Sequence, residues 1–559
     1  MSLCLTEEGK LCRTGSARMV VRRDLNQNHW ESSAEGGKAL DRRGLIKLGA
    51  GAVVSGFAST AKTLAAPPDI RQKVERWGLF EFEMRGSASG NPFVDVQFGA
   101  RFTIGHRTVD AAGFYDGDGR YRVRFSPDTQ GTWTFETRGT LPELTGYTGS
   151  FECVARTEGN RGPVGTAHQF HFQYAEGTPY FPFGTTCYSY GFIDEPFAGQ
   201  TLENLKEAGF NKVRMCLLPK PLGKLQPVAM PFERIGTADP PGGGNLQDGA
   251  TSNEKFDLAR LNPLYFQHVE EKILELQAAG IEADVILFHP YDAWGFKMMG
   301  PEADDRYLRY AVARLSAYRN VWWSIANEYD LVKSKSMTDW DLFFRIVQES
   351  DPYGRLRSIH HSHVVYDQSK PWVTHASLQE YDFEKSPERQ AAWNKPIIYD
   401  EIQYEGNIAR RWGNLSAEEM THRFWKAVVY GVYATHGETF MTTDGSPVWS
   451  DAGELRGESA PRITFLRKLL EKTGTTGLMA ADNPYYLNAG NAGELILYYF
   501  DYHCVGEYEF PLPENIRFTA TEIDPWAMTA TELPGTFSGK SRIALSGKPY
   551  RAVLFEKNS

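Results

Sequence analysis

The chain has 559 residues, a formal net charge of −10, 41% hydrophobic and 23% charged residues. At roughly 100–200 residues per domain this suggests about three domains, and the absence of a basic excess excludes nucleic acid as an expected partner. The six cysteines are scattered without a CxxC pair, which excludes a disulfide framework or a zinc site built on such pairs.

Residues 1–66 read as a leader. Asp41-Arg42-Arg43 precedes the Gly- and Ala-rich run LGAGAVVSGFAST and the small residues of KTLAAPP. This resembles a twin-arginine export signal, with Asp41 where Ser or Thr is commoner and cleavage expected near Ala65 or Ala66. The run is too short and too Gly-rich to span a bilayer comfortably. The expectation is a periplasmic or secreted protein with no membrane partner in its mature form. Met19 is a candidate alternative start. Cys4 and Cys12 fall in the leader; Cys153, Cys187, Cys216 and Cys504 read as buried free thiols.

Residues 70–158 alternate in short runs such as FVDVQFGARFTI and GTWTFETRG, separated by SASGNP and YDGDGR. Regular short strands with turn punctuation predict a β-sandwich. From about 172 the rhythm changes to alternating strands and helices. Expected strands are YFPFGTTCYSY, NKVRMCLLP, IEADVILFHP, VWWSIANEYD, RLRSIHHSH, WVTHASLQ, KPIIYDEIQ and ATHGETFMT. Helical spacing appears in TLENLKEAG, before a Gly stop, and again in LNPLYFQHVEEKILELQAAG and DRYLRYAVARLSAYRN. Eight such units over 172–476 predict a (β/α)8 barrel; a doubly wound sheet would need a Gly-rich phosphate loop after its first strand, and FGTTCYSYG has no GxGxxG. A Pro/Gly-rich insertion at about 219–258 is long enough to face substrate. Residues 477–559 return to short strands and predict a small C-terminal β domain.

A barrel places its chemistry at the C-terminal ends of its strands. Those ends carry Arg214 (strand two), His289-Pro290-Tyr291 (three), Asn327-Glu328 (four), His360, His361 and His363 (five), Gln379-Glu380-Tyr381 (six), Asp400-Glu401 (seven), and Glu438, Thr442, Asp444 and Trp449 (eight). Glu328 and Glu401 end strong apolar runs on opposite sides of the mouth. Glycoside hydrolysis uses such a pair, one carboxyl protonating the leaving oxygen and the other attacking the anomeric carbon or activating water. Asp400, Glu405 and Glu438 are rivals for the second role, and strand alternation allows only one of Asp400 and Glu401 to face the cavity. Trp322 and Trp323, adjacent on one strand, must face opposite ways. Trp294 and Trp412, in loops, are candidates for stacking on sugar.

LKEAGFNKVRM, the NE dipeptide at strand four and the Glu at strand seven resemble the clan A glycoside hydrolases, the cellulase-like 4/7 barrels. The barrel behind a small sandwich is similar to cellulase-like proteins related to apiosidase-type enzymes. The resemblance implies Glu328 as acid/base, Glu401 as nucleophile and retention of anomeric configuration. It further implies Asn327 on the sugar 2-hydroxyl, Arg214 holding the nucleophile, Trp449 as a sugar platform and Tyr381 as the phenol against the nucleophile. His289 and His361 are expected to hydrogen-bond sugar or order a carboxylate. The expected partner is a plant or microbial oligo- or polysaccharide, with no cofactor and no metal. Two other readings are a non-catalytic carbohydrate-binding barrel and a metal-dependent hydrolase using HHSH at 360–363, which lacks a full ligand set.

Overall fold

The computed structural model describes residues 72–558, except 222–225, 237–253, 444–445, 482–484 and 492. The leader read from residues 1–66 and the candidate residue Asp444 lie outside the described residues.

The N-terminal region is a seven-stranded sheet ordered Lys73–Glu75, Thr148–Val154, Gly131–Gly139, Phe98–Ile104, Arg107–Tyr115, Arg120–Phe125, Phe80–Arg85. Its alternation is the one read from sequence: Trp133, Phe135 and Thr137 are buried while Thr132, Thr134 and Glu136 face water. The sheet curls back on itself, because Phe80 on the last strand stacks on Phe151, second from the other edge, at 4.1 Å between ring centroids. Apolar inward faces thus meet as in a sandwich.

The central region is an eight-stranded parallel barrel. Its strands are β1 (Gly184–Thr186), β2 (Lys212–Cys216), β3 (Glu282–Phe288), β4 (Val321–Ala326), β5 (Arg357–Ser358), β6 (Ala376–Leu378), β7 (Ile397–Tyr399) and β8 (Tyr433–His436). The hydrogen-bonded order is β5-β4-β3-β2-β1-β8-β7-β6. The seam between β5 and β6 is bridged by Thr374, whose N–H donates to Arg357 O (2.9 Å) and whose Oγ1 accepts from Arg357 N (2.7 Å). Several strands are shorter than expected. Of YFPFGTTCYSY only β1 pairs within the barrel; Tyr180 pairs with Phe172 in a separate sheet, and Tyr188 turns its hydroxyl to the mouth. The outer helices are α1 (Phe197–Ala208), α2 (Pro263–Ala278), α3 (Pro301–Leu315), α4 (Met337–Ser350), α5 (Ser386–Trp393), α6 (Ala417–Val429) and α7 (Ser459–Thr473). α1 stops at Gly209, whose left-handed φ of 75° favours a residue without Cβ, as expected of the Gly stop. α4 starts with a capping box of Ser336 and Asp339. The described part of the 219–258 insertion contains the antiparallel pair Phe232–Arg234 and Phe256–Leu261.

Trp322 and Trp323 do face opposite ways. Trp323 Nε1 donates to Asp351 on the helical side, and Trp322 points into the barrel floor, stacked on Phe172 at 5.6 Å. Phe172 belongs to a three-stranded sheet (Val164–Ala167, His171–Tyr174, Pro179–Tyr180) that covers the N-terminal end of the barrel. Above this floor lies a layer of charge: Lys212 Nζ bonds Asp284 (3.0 Å) and Asp400 (2.7 Å), all fully buried. A buried charge persists only when paired, and here one ammonium serves two carboxylates.

The sandwich docks through ions as well. Arg314 of α3 reaches Glu270 (2.5 Å) and Asp116 (2.8 Å), and Arg124 donates to Glu270 (2.9 Å). The C-terminal region is a six-stranded sheet with a further strand pair, Glu507–Pro511 and Lys540–Ala544. It packs on α6 through Tyr499, stacked on Trp425 at 5.6 Å. Cys153, Cys187 and Cys216 are buried free thiols as expected; Cys504 is also free but exposed, because it sits in a surface turn of the C-terminal region. Among the described residues no helix is long and apolar enough to cross a membrane.

Candidate active site

β4 carries its apolar side chains up to Ala326 and then delivers Asn327 and Glu328 at the mouth. Glu328 has φ 43° and ψ 52°, a left-handed backbone that an ordinary side chain adopts at a cost. The Tyr291 hydroxyl donates to Glu328 Oε2 and Gln379 Nε2 donates to Oε1 at 3.1 Å. Burial, reinforced by the negative charge of Glu401, raises the Glu328 pKa above the ordinary carboxylate range.

Glu401 follows β7 on the opposite side. The Tyr188 hydroxyl donates to its Oε1, and Arg214 Nη1 and His360 Nε2 each stand 3.4 Å from the same oxygen. Burial works to raise the Glu401 pKa, but the polar groups converging on it, with Arg214 and Tyr188 as donors, outweigh it and hold the carboxyl below its ordinary value. The two carboxyls are therefore pushed apart in acidity, one toward the acid form and one toward the anion.

One hydrogen-bond chain joins them. Arg214, fully buried, gives Nη1 to Glu401 and Nη2 to Asn327 Oδ1 at 2.8 Å. Asn327 Nδ2 donates to Tyr291 Oη at 3.0 Å, and Tyr291 donates to Glu328. Tyr188 also meets Tyr404 Oη at 3.2 Å. Lys220 Nζ lies 5.3 Å from the Tyr188 ring centre and 5.5 Å from that of Tyr291, and pairs with Asp451 at 2.5 Å.

Asp400 does not reach the mouth. It is buried below Glu401 and accepts from Lys212, from Thr435 (2.7 Å) and from Ser377 (2.6 Å). Burial opposes its ionisation, yet Lys212 and Arg214 hold it strongly anionic. Strand alternation is not what separates the pair, since both side chains lie on the barrel's inner side. Pairing of β7 ends at Tyr399, and beyond it the chain no longer follows the pleat.

The other expected site residues divide into three groups. His289 stacks on Tyr291 at 5.6 Å and binds Leu218 O through Nε2 at 2.8 Å; burial lowers its pKa to about 4, so it backs the site as a neutral ring. His361 is buried and faces Glu380 at 3.6 Å, one shell outward. Trp412 is 40% exposed and meets Tyr404 edge-on at 5.5 Å, leaving a free indole face near the mouth. Trp294 is 7% exposed and packs against Phe296. Trp449 is fully buried and gives its Nε1 to Thr185 (2.8 Å), so it offers no open ring face. Tyr381 is exposed beneath the Arg423 guanidinium (4.1 Å), and Tyr188, from the segment after β1, is the phenol bonded to Glu401. Thr442 bonds locally to Ser446 O at 2.9 Å. Tyr188, Tyr291, Gln379 and Lys220 carried no signal in the sequence beyond their place after a strand.

The HHSH histidines diverge: His360 turns to Glu401 and Ser377, His361 to Glu380, and His363 is exposed. Among the described residues, Glu405, His436 and Glu438 form the group with metal-ligand spacing. Its donor set does not suit a cation. Glu438 accepts from the N–H groups of Arg456 and Gly457 (both 2.8 Å), and Glu405 from those of Glu458 (2.9 Å) and Ser459 (3.3 Å). These four N–H groups lead into the start of α7, where the helix already favours negative charge. Glu405 and Glu438 thus secure a helix start and do not share the cavity of Glu328.

Three family models match in series: a domain of unknown function, DUF5060, at 73–140; the Apiosidase-like catalytic domain at 166–476; and a second domain of unknown function, DUF5605, at 483–556. The chain is 36% identical to a provisionally assigned glycoside hydrolase from Bacteroides vulgatus ATCC 8482, with a TM-score of 0.81, covering 87% of this chain and 100% of that one. A family 5 glycoside hydrolase from the same organism shares the fold at 14% identity and a TM-score of 0.52, covering 71% of this chain and 93% of that one. No curated protein matches. With more than half its length matched by the model spanning 166–476, and a clan-A-like barrel at its centre, the chain belongs to the family of Apiosidase-like catalytic domains.

Proposed function

We propose that the protein is a retaining glycoside hydrolase in which Glu401 attacks the anomeric carbon and Glu328 protonates the leaving oxygen. The observation that carries this reading is the split environment of the two carboxyls: an arginine and a phenol donating to Glu401, against a buried site facing a like charge on Glu328. In the first step Glu401 bonds to the sugar while Glu328 gives its proton to the departing alcohol. In the second, Glu328 takes a proton from water, which displaces Glu401. Arg214 keeps Glu401 anionic, and through Asn327 it fixes an amide where a sugar hydroxyl can be read. Trp412 supplies a stacking face.

The substrate class is an oligo- or polysaccharide of plant or microbial origin, and apiosides belong in any panel given the family matched. The test is a glycan and aryl-glycoside panel, with the configuration of the first-formed product followed by NMR. Retained configuration with a turnover lost in Glu401→Ala supports the reading; inverted product overturns it. We also propose export through the twin-arginine-type leader, to be tested by N-terminal sequencing of the protein recovered outside the cytoplasm.

A further inference from the structure

We propose that Asp400, acting through Ser377, holds His360 in its Nδ1–H tautomer, so that a bare Nε2 faces Glu401 and leaves its carboxylate reactive. The inference rests on Glu401 being the nucleophile, and it assigns positioning roles to Asp400, Ser377 and His360.

Proton counting along one buried chain leads there. Asp400 receives Lys212 Nζ at 2.7 Å and Thr435 Oγ1 at 2.7 Å on one oxygen, and Ser377 Oγ at 2.6 Å on the other. Lys212 also meets Asp284 at 3.0 Å. A carboxylate so supplied is acceptor-only. Ser377 has one hydroxyl proton, and it must go to Asp400. The remaining contact of Ser377 Oγ is His360 Nδ1 at 3.1 Å, so here the serine accepts and Nδ1 carries hydrogen. A neutral imidazole has one N–H, so Nε2 is bare. It lies 3.4 Å from Glu401 Oε1 and makes no aligned hydrogen bond.

The groups facing His360 are Arg214 from β2, His361 beside it after β5, and Asp400 and Glu401 after β7. Burial first, then the Arg214 charge, lowers the His360 pKa and keeps the ring neutral. Lys212 has a part in this order. It takes the short bonds of Asp284 and Asp400, leaving those aspartates 3.8 and 3.9 Å from Arg214 Nε and freeing the Arg214 Nη atoms for Glu401 and Asn327. An Nε2–H tautomer would add one more donor to Glu401 and stabilise the charge that must be spent in attack.

Side-chain 15N NMR of the full chain tests this without knowledge of the sugar, with His360→Gln identifying the resonance. Wild type is expected to show neutral His360 protonated at Nδ1, and Ser377→Ala to move that proton to Nε2. A wild-type Nε2–H form, or a tautomer unchanged in Ser377→Ala, overturns the proposal. On a turned-over glycoside, Ser377→Ala is expected to lower kcat about tenfold with KM unchanged, the effect of one added hydrogen bond to a charged group. An unchanged kcat removes the link to reactivity. Full activity in Glu401→Ala would instead sink the nucleophile reading while leaving the tautomer result standing.

Discussion

Two clusters of the same composition stand near the barrel mouth. Glu328, Glu401 and His360 form one; Glu405, Glu438 and His436 form the other. Each has two buried carboxyls and one buried imidazole. They differ in what donates to the carboxyls. In the first, the donors are side chains from several strands: Tyr188, Arg214, Tyr291 and Gln379. In the second, four backbone N–H groups and the Ser459 hydroxyl, leading into α7, take that place. Backbone donors tie a carboxyl to a helix and close it. Side-chain donors can hold one carboxyl anionic and another protonated while leaving both open to a ligand. Partner type, more than residue type, separates a reactive pair from a structural one.

Substitutions should act on opposite readouts in the two clusters. The largest expected effect is that of Glu401→Ala, a loss of turnover on the order of 10⁴-fold, as for removal of a nucleophile. Added azide is expected to restore part of it as a glycosyl azide, seen by NMR. Glu328→Ala should cost about 10²–10⁴-fold on substrates with poor leaving groups and far less on activated aryl glycosides. In the proposed mechanism the active form has Glu328 protonated and Glu401 ionised. The acidic limb of kcat/KM should therefore fall below the ordinary carboxylate range and the basic limb above it. Loss of the basic limb in Glu328→Gln, measured on an activated glycoside, would assign that limb to Glu328.

Tyr188→Phe removes one donor that holds Glu401 anionic and should move the acidic limb of kcat/KM up toward the ordinary carboxylate range. Glu405→Ala crosses to the second cluster. It strands the buried N–H and hydroxyl of Ser459 and the part-buried N–H of Glu458, and about 1–3 kcal/mol of stability should be lost in denaturant melts while kcat stays near wild type. A collapse of kcat at full stability would erase the distinction between the clusters.

The last effect concerns pH. Burial pushes Glu438 up to about 8 in the folded chain, from an ordinary 4.5. Between those values the folded state holds a proton that the unfolded state has released, so this group's contribution to stability falls as pH rises from 4.5 toward 8. Replacing it by the uncharged Glu438→Gln should flatten the Tm profile over that window.

Much of this was legible in sequence because it depends on local order. Apolar runs of strand length located the barrel strands, and the polar residues ending them located Asn327, Glu328 and Glu401. Gly209 marked a helix end by backbone preference alone. Trp322 and Trp323 had to diverge because a strand has period two. What the sequence could not decide was partnership. Tyr188 and Glu401 are 213 residues apart, and only closure of the barrel brings phenol to carboxylate. The same closure buries Trp449 where a platform was expected, sends Asp400 down to Lys212, and spends Glu405 and Glu438 on a helix start. A side chain's type and its place after a strand are written in the chain. Its pKa and its role depend on which distant donors converge on it, and that is a property of the folded barrel.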